Sequence, residues 1–190
     1  IGEQVACAVV PEPEHDPSQL APALAPFKGR EVTIGYYNSL SQNGALASRL
    51  QTQIEELGLK ATVREYPASI LFNLPAEPKQ RPDILTTGFN PDSVAPDTFA
   101  RIYWYKDAPV NLLGCTAPEG DRLLDEAASA PTKEAALEAN IAAAEEYRKS
   151  NCWLNIADVN DVYVTRKGIT GLSKELDWTL SVRLGALKEE

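Results

Sequence analysis

Methionine is absent from the 190 residues, histidine occurs once, cysteine three times, and no apolar run approaches the roughly 18 residues that a membrane-spanning helix needs. Each scarcity removes a class of function. A Ser/His/Asp or Cys/His arrangement needs a positioned base, and the lone His15 sits in a proline-rich stretch far in sequence from any promising acid or nucleophile. Neither G-x-x-x-x-G-K-[ST] nor G-x-G-x-x-G occurs, so no phosphate cradle or dinucleotide site is expected, and no cofactor. Lysines and arginines are dispersed, with no run longer than the pairs Arg148-Lys149 and Arg166-Lys167, against a net charge of −9, which excludes the positive stripe that nucleic acid or an anionic membrane face requires. Cys7, Cys115 and Cys152 form no pair of close Cys-x-x-Cys motifs, so no metal site is expected. Their presence fits an oxidising compartment, with Cys115–Cys152 the expected bridge and three reduced, buried thiols the alternative. With Ile1 in first place and neither methionine nor a signal-like apolar stretch near it, the chain reads as an excised piece, or else as a secreted protein after signal removal.

What is present is ordinary globular material, 44% hydrophobic and 24% charged, enough for one well-buried domain. Residues 1–30 read as an irregular, proline-rich lead-in and 31–190 as a single α/β lobe. From Glu31 to Tyr37, Val32, Ile34 and Tyr36 alternate as in a strand. Leu46, Leu50, Ile54 and Leu57 then recur at helical spacing until Gly58 stops the helix. The run LKATVREY supplies a second strand, expected parallel to the first, and DILTTGF a third after a proline-punctuated loop from Pro67 to Pro82.

Beyond the third strand, DTFARIYWY predicts a short aromatic helix, with Phe99, Ile102 and Tyr103 on one face. Thr116 and Glu119 suggest a capping box opening the helix PEGDRLLDEAAS, and Thr132 opens KEAALEANIAAAEEYRKS, the two packing as a hairpin. The tail offers three strand-like runs, CWLNIA, DVYVTRKG and DWTLSVRL, with turns at Gly168 and Gly171.

Open α/β sheets bind ligands beyond the carboxyl ends of their strands, so Asp92, just past the third strand, is a site candidate on topology alone. Asp92 and Asp97 also furnish a carboxylate pair of the kind that hydrolyses glycosides, although Asp97 and Asp107 equally suit solvated turns.

The ordered set Asp83-Ile-Leu-Thr-Thr-Gly88-Phe89-Asn90-Pro91-Asp92, Pro96-Asp97-Thr98-Phe99, Asn111-Leu-Leu-Gly114 and Asp121-Arg-Leu-Leu-Asp125-Glu-Ala127 resembles the family 5 extracellular solute-binding proteins, the oligopeptide and dipeptide receptors. The resemblance covers roughly residues 31–172. It implies the C-terminal lobe of a longer two-lobe parent, a periplasmic-binding-protein-like (class II) fold with a mixed sheet flanked by helices, and no enzymatic activity. It further implies a small ligand, a peptide first of all, captured in the inter-lobe cleft and passed to ABC permease subunits. The expected parent is an extracytoplasmic monomer, periplasmic or on the cell surface, tethered by a lipid anchor outside this chain.

Asp92 falls on the aspartate that pairs, in peptide-binding members of that family, with the ligand's α-amino group. Phe89, Asn90 and Asn111 are implied as further lining residues, although loop asparagines can equally cap their own backbone. The sequence departs from the family pattern at Phe89, where Trp is usual, at Ser93, where Tyr is usual, and at Cys115, where an aromatic often follows. The family also takes oligosaccharides, metal chelates and haem, so a non-peptide solute is the second reading and a non-transport interaction module the third.

Overall fold

The computed structural model describes residues 20–39, 41–89, 96–156, 164–171, 185 and 187–189. Alternation of β-branched and aromatic residues makes Glu31–Tyr37 a strand (β1), and this strand occupies the centre of a three-stranded parallel sheet. Lys60–Tyr66 (β2) pairs on one side and Ile84–Thr86 (β3) on the other. The register sets Ile34 opposite both Val63 and Ile84, and Tyr36 opposite both Glu65 and Thr86. Ile34 is consequently wholly buried, a contribution of about 1.5–3 kcal/mol.

The helix Ser41–Glu56 (α2) covers one face of this sheet, its packing centred on Ala47, with Leu50 and Ile54 beside it. The predicted Leu50 and Ile54 lie in the seam, but Ala47 rather than Leu46 is its buried centre, and Leu57 is exposed. Small Ala47 lets the helix approach Ile34 and Ala61 closely. Gly58, at a φ of 88°, ends the helix as its sequence position predicts. Buried Thr86 donates to the Asn43 carbonyl at 3.1 Å, and the Asn43 amide donates to the Tyr37 carbonyl at 3.0 Å, so the start of α2 is tied to the carboxyl ends of the strands.

The other face buries Tyr66, Leu71, Leu74 and Leu112, with Phe89 packed against them. Gly35 is needed here: a Cβ would come within 2.8 Å of both the Pro82 ring and the Tyr66 ring. The β2–β3 connection, expected as a loop, contains a helical turn at Ala68–Leu71 (α3) and a 3-10 turn at Pro78–Gln80. Leu20–Leu24 (α1) and the following 3-10 turn, Ala25–Phe27, are also helical where proline content predicts irregular backbone. Proline is tolerated in a helix's first turn, whose N–H groups have no intrahelical acceptor, and Pro26 occupies that place in the 3-10 turn.

Pro96–Tyr103 (α4) precedes a helical hairpin, Pro118–Ser129 (α5) and Lys133–Lys149 (α6). Thr132 caps α6, its hydroxyl accepting from the Ala135 N–H at 3.2 Å. The capping box at Thr116 does not form. Pro118 takes the first helical turn, which leaves Ala117 as N-cap, and Glu119 turns instead to Arg122. The hairpin is close because Gly120 faces the Tyr147 ring, where a Cβ would stand 3.0 Å away. Tyr147 donates its hydroxyl to the buried Asp121 carboxylate.

The tail differs most from expectation. Residues 152–156 form no strand, since Cys152 is bonded to Cys115, Trp153 packs against Tyr103, and no described strand lies alongside to pair with the run. Residues 164–166 are likewise irregular, whereas Ile169–Thr170 (β4) pairs antiparallel with Lys188–Glu189 (β5) between the left-handed Gly168 and Gly171. Residues 161–163 and the run DWTLSVRL lie outside the described residues.

Two outcomes follow. The Cys115–Cys152 bridge spans 37 residues with Cα atoms 5.9 Å apart, and closing a loop of that size in the unfolded chain is worth about 4 kcal/mol. Urea unfolding of the chain under reducing conditions, or as the Cys115→Ser/Cys152→Ser variant, is expected to show about 2–4 kcal/mol less stability than the oxidised chain. Burial first, and then the bond to Asp121, holds the Tyr147 phenol above its ordinary value. Because the folded value exceeds the unfolded one, this stabilisation is complete below about pH 10 and is lost as pH rises past it. Tyr147→Phe leaves buried Asp121 short of a donor, so unfolding at neutral pH should become easier by about 1–3 kcal/mol, and the alkaline decline should flatten.

Candidate functional site

All three strands of the main sheet run the same way, so their carboxyl ends share one edge. This is the edge at which open parallel sheets take ligands. From β3 the chain leaves through Thr87, Gly88 and Phe89. Asn90 and Asp92, two of the predicted ligand contacts, lie outside the described residues.

Phe89 is half-buried and stacks on Tyr103 of α4, ring centroids 4.6 Å apart and planes inclined by 26°. Tyr103 is also touched by Phe99 at 4.5 Å and, edge-on, by Trp153 at 6.4 Å. The four rings form an aromatic wall where β3 ends. Phe89 also belongs to the core cluster that holds Val110 and Leu112, so the structure brings the β3 exit and the Asn111 loop to one place.

Asn111 is buried, and its amide is committed to the backbone. Nδ2 donates to the Cys115 carbonyl at 2.8 Å and the Tyr105 carbonyl at 3.3 Å, while Oδ1 accepts from the Cys115 N–H at 2.9 Å. The side chain therefore closes its own loop and sets the position of Cys115. Cys115 meets Cys152, which anchors Trp153 beside Tyr103. Asp97, the second carboxylate of the glycosidase alternative, lies in the first turn of α4 with its carboxylate 3.6 Å from Arg101 of the same helix.

Two further arrangements escape a reading of the sequence. Arg81 has no carboxylate partner among the described residues; its guanidinium donates to the carbonyls of Leu74 at 3.0 Å, Pro75 at 2.9 Å and Leu113 at 3.1 Å. It joins the β2–β3 connection to the Asn111 loop. Gly114, at a φ of 70°, makes room, because a Cβ there would stand 2.0 Å from the Arg81 Nη1. At the ends of β1 and β2, the Glu65 carboxylate accepts from the Tyr36 hydroxyl at 2.9 Å and from the Asn38 amide at 2.8 Å. These bonds, Asn38 first, hold the Glu65 carboxyl below its ordinary range, and the same carboxylate holds the Tyr36 phenol above its own. Once β1 and β2 are taken as parallel neighbours, a register that pairs residue 36 with residue 65 is the signal that finds this cluster.

Among the described residues no helix is long and apolar enough to cross a membrane. No protein-family model matches the chain, and no curated protein matches it. Solved structures do. A substrate binding protein from Microbacterium hydrocarbonoxydans, complexed with 4-hydroxybenzoate hydrazide, aligns at a TM-score of 0.63 and 16% identity, over 79% of this chain and 32% of its own. A nickel ABC transporter protein from Bacillus halodurans aligns at 0.64 and 12% identity, over 78% and 34%. DppA from Helicobacter pylori, an ABC transporter-associated periplasmic binding protein in complex with the peptide STSA, aligns at 0.61 and 18% identity, over 73% and 28%. The chain thus spans about a third of the length of these structures. With its parallel sheet flanked by helices, it has the fold of a periplasmic-binding-protein-like domain.

Proposed function

We propose that this chain is the C-terminal lobe of an extracytoplasmic solute-binding protein serving an ABC importer, and that it takes a small peptide against the carboxyl edge of its sheet. The observation that carries the reading is the common edge of β1, β2 and β3, backed by the Phe89–Tyr103–Trp153 wall. The fold is shared with binding proteins of ABC transporters, one of them holding a peptide. In this reading the chain performs no chemistry on the ligand; its task is selective capture and release to a permease.

Asp92 is the proposed partner of the peptide's α-amino group. A carboxylate made dry by closure over a ligand forms a charge-assisted bond to an ammonium, and loss of one member of such a pair costs about 2–5 kcal/mol. Phe89 and Asn90 precede it along the chain, Phe89 as an apolar surface for a ligand side chain and Asn90 as a polar contact. Asn111 acts one step back, by fixing the loop that carries Cys115.

In the protein that carries this chain, Asp92→Ala is expected to weaken binding of a free-amine peptide from about 30-fold to several-thousand-fold, with the melting temperature unchanged. Acetylating the peptide's N-terminus should weaken binding to the unsubstituted protein to a similar extent. Titration calorimetry reads both. A sharp drop in melting temperature would make Asp92 structural, and tight binding of a metal chelate or an oligosaccharide in place of any peptide would favour the second solute class.

A further inference from the structure

The Glu65 cluster has features that a solvated surface carboxylate does not need. Water alone satisfies an exposed glutamate, yet Glu65 is held by two neutral donors from a neighbouring strand and its continuation, 29 and 27 residues away in sequence. The donors are themselves fixed. The Tyr36 ring lies against Gly44 in the first turns of α2, where a Cβ would stand 3.3 Å from it, and Asn43 bonds the Tyr37 carbonyl between Tyr36 and Asn38. Among the described residues no ion pair engages Glu65. The adjacent cation, Arg64, lies over the Tyr66 ring at 4.9 Å. A carboxylate accepts roughly four hydrogen bonds, and here each oxygen has received one. Among the described residues nothing fills the remaining acceptor position on each oxygen, the arrangement that a planar guanidinium fills with two parallel N–H bonds.

We propose that Glu65, oriented by Tyr36 and Asn38, is a second cation subsite on the ligand edge, taking the guanidinium of a ligand side chain. The inference rests on the peptide reading above and adds a ligand class to it: arginine-containing peptides. Strands β2 and β3 flank β1, so their carboxyl ends lie about 10 Å apart. An extended peptide covers that distance in about three residues. A peptide whose amine lies at the β3 end therefore presents its third side chain near the β2 end, where Glu65 stands. The low-lying Glu65 carboxyl and the neutral Tyr36 phenol keep the donor pattern unchanged through neutral pH.

The test is a chemical-shift titration of the 15N-labelled 190-residue chain with three peptides: Ala-Ala-Arg, Ala-Ala-citrulline, whose side chain has the same shape without charge, and N-acetyl-Ala-Ala-Arg. The arginine peptide is expected to bind about fivefold more tightly than the citrulline peptide, the size of one well-formed exposed ion pair, and to shift the Asn38, Glu65 and Tyr66 amides. Glu65→Gln, which keeps an acceptor and a donor for its neighbours, should bring the two peptides to equal affinity while the dispersed spectrum of the folded chain persists. Equal affinities in the unsubstituted chain, an arginine preference that survives Glu65→Gln, or no shift at those amides up to the solubility limit of Ala-Ala-Arg overturns the proposal. The acetylated peptide separates the two readings. An arginine preference abolished by Glu65→Gln while acetylation changes nothing sustains the Glu65 subsite and sinks the amine contact at Asp92.

Discussion

The structure depends on β1 being buried from both sides while paired along both edges. Ile34 is wholly covered by α2, and the next residue, Gly35, is bare so that Tyr66 and Pro82 can close over the opposite face. At the amino end, Asp83 accepts from the Thr33 N–H at 2.8 Å while its own N–H donates to the Thr33 carbonyl at 2.9 Å, which clamps β3 to β1 as it enters the sheet. One strand therefore sets the register of the other two, and with it which side chains arrive together at the far edge.

At that edge, the wall beside β3 is tied together by ring contacts, a disulfide and side-chain bonds to backbone. Phe89 stacks on Tyr103, Trp153 meets Tyr103 edge-on, and Cys152 is bonded to Cys115, whose backbone the Asn111 side chain holds. Arg81 ties the same loop to the β2–β3 connection through three carbonyls, so that its guanidinium meets backbone partial charge, with no carboxylate partner among the described residues. On the proposed reading, a surface tied together in this way costs a ligand little rearrangement, and preorganisation of this kind lets a few polar contacts count in binding.

Much of this was legible in the sequence because it is periodic and local. Strict alternation in Glu31–Tyr37, helical spacing ended by Gly58, and Thr132 before a long helical run each specify an element from its own residues. Other signals failed for identifiable reasons. Thr116 loses its cap because Pro118 fixes the helix start one residue later, and the run at 152–156 is tethered by a bond to a residue 37 positions away rather than by strand pairing. The reading of the site divides along the same line. Phe89 is one ring of the aromatic wall and the Cys115–Cys152 bond holds Trp153 in it, while Asn111 serves its own backbone, the alternative open to any loop asparagine. Glu65 with Tyr36 and Asn38, and Arg81 with Gly114, are pairings of distant segments that exist only once register and loop packing are set.

The central claim is that ligand meets this chain at the carboxyl edge of its parallel sheet. Amide hydrogen exchange, followed by mass spectrometry with and without a saturating free-amine peptide, tests it across the whole fold at once. The account predicts slowed exchange at Tyr36–Asn38, Glu65–Tyr66 and Thr87–Phe89, with little change at the amino ends of the same strands, Glu31, Lys60 and Asp83. Slowed exchange confined to the α5–α6 hairpin, or to those amino ends, would contradict it.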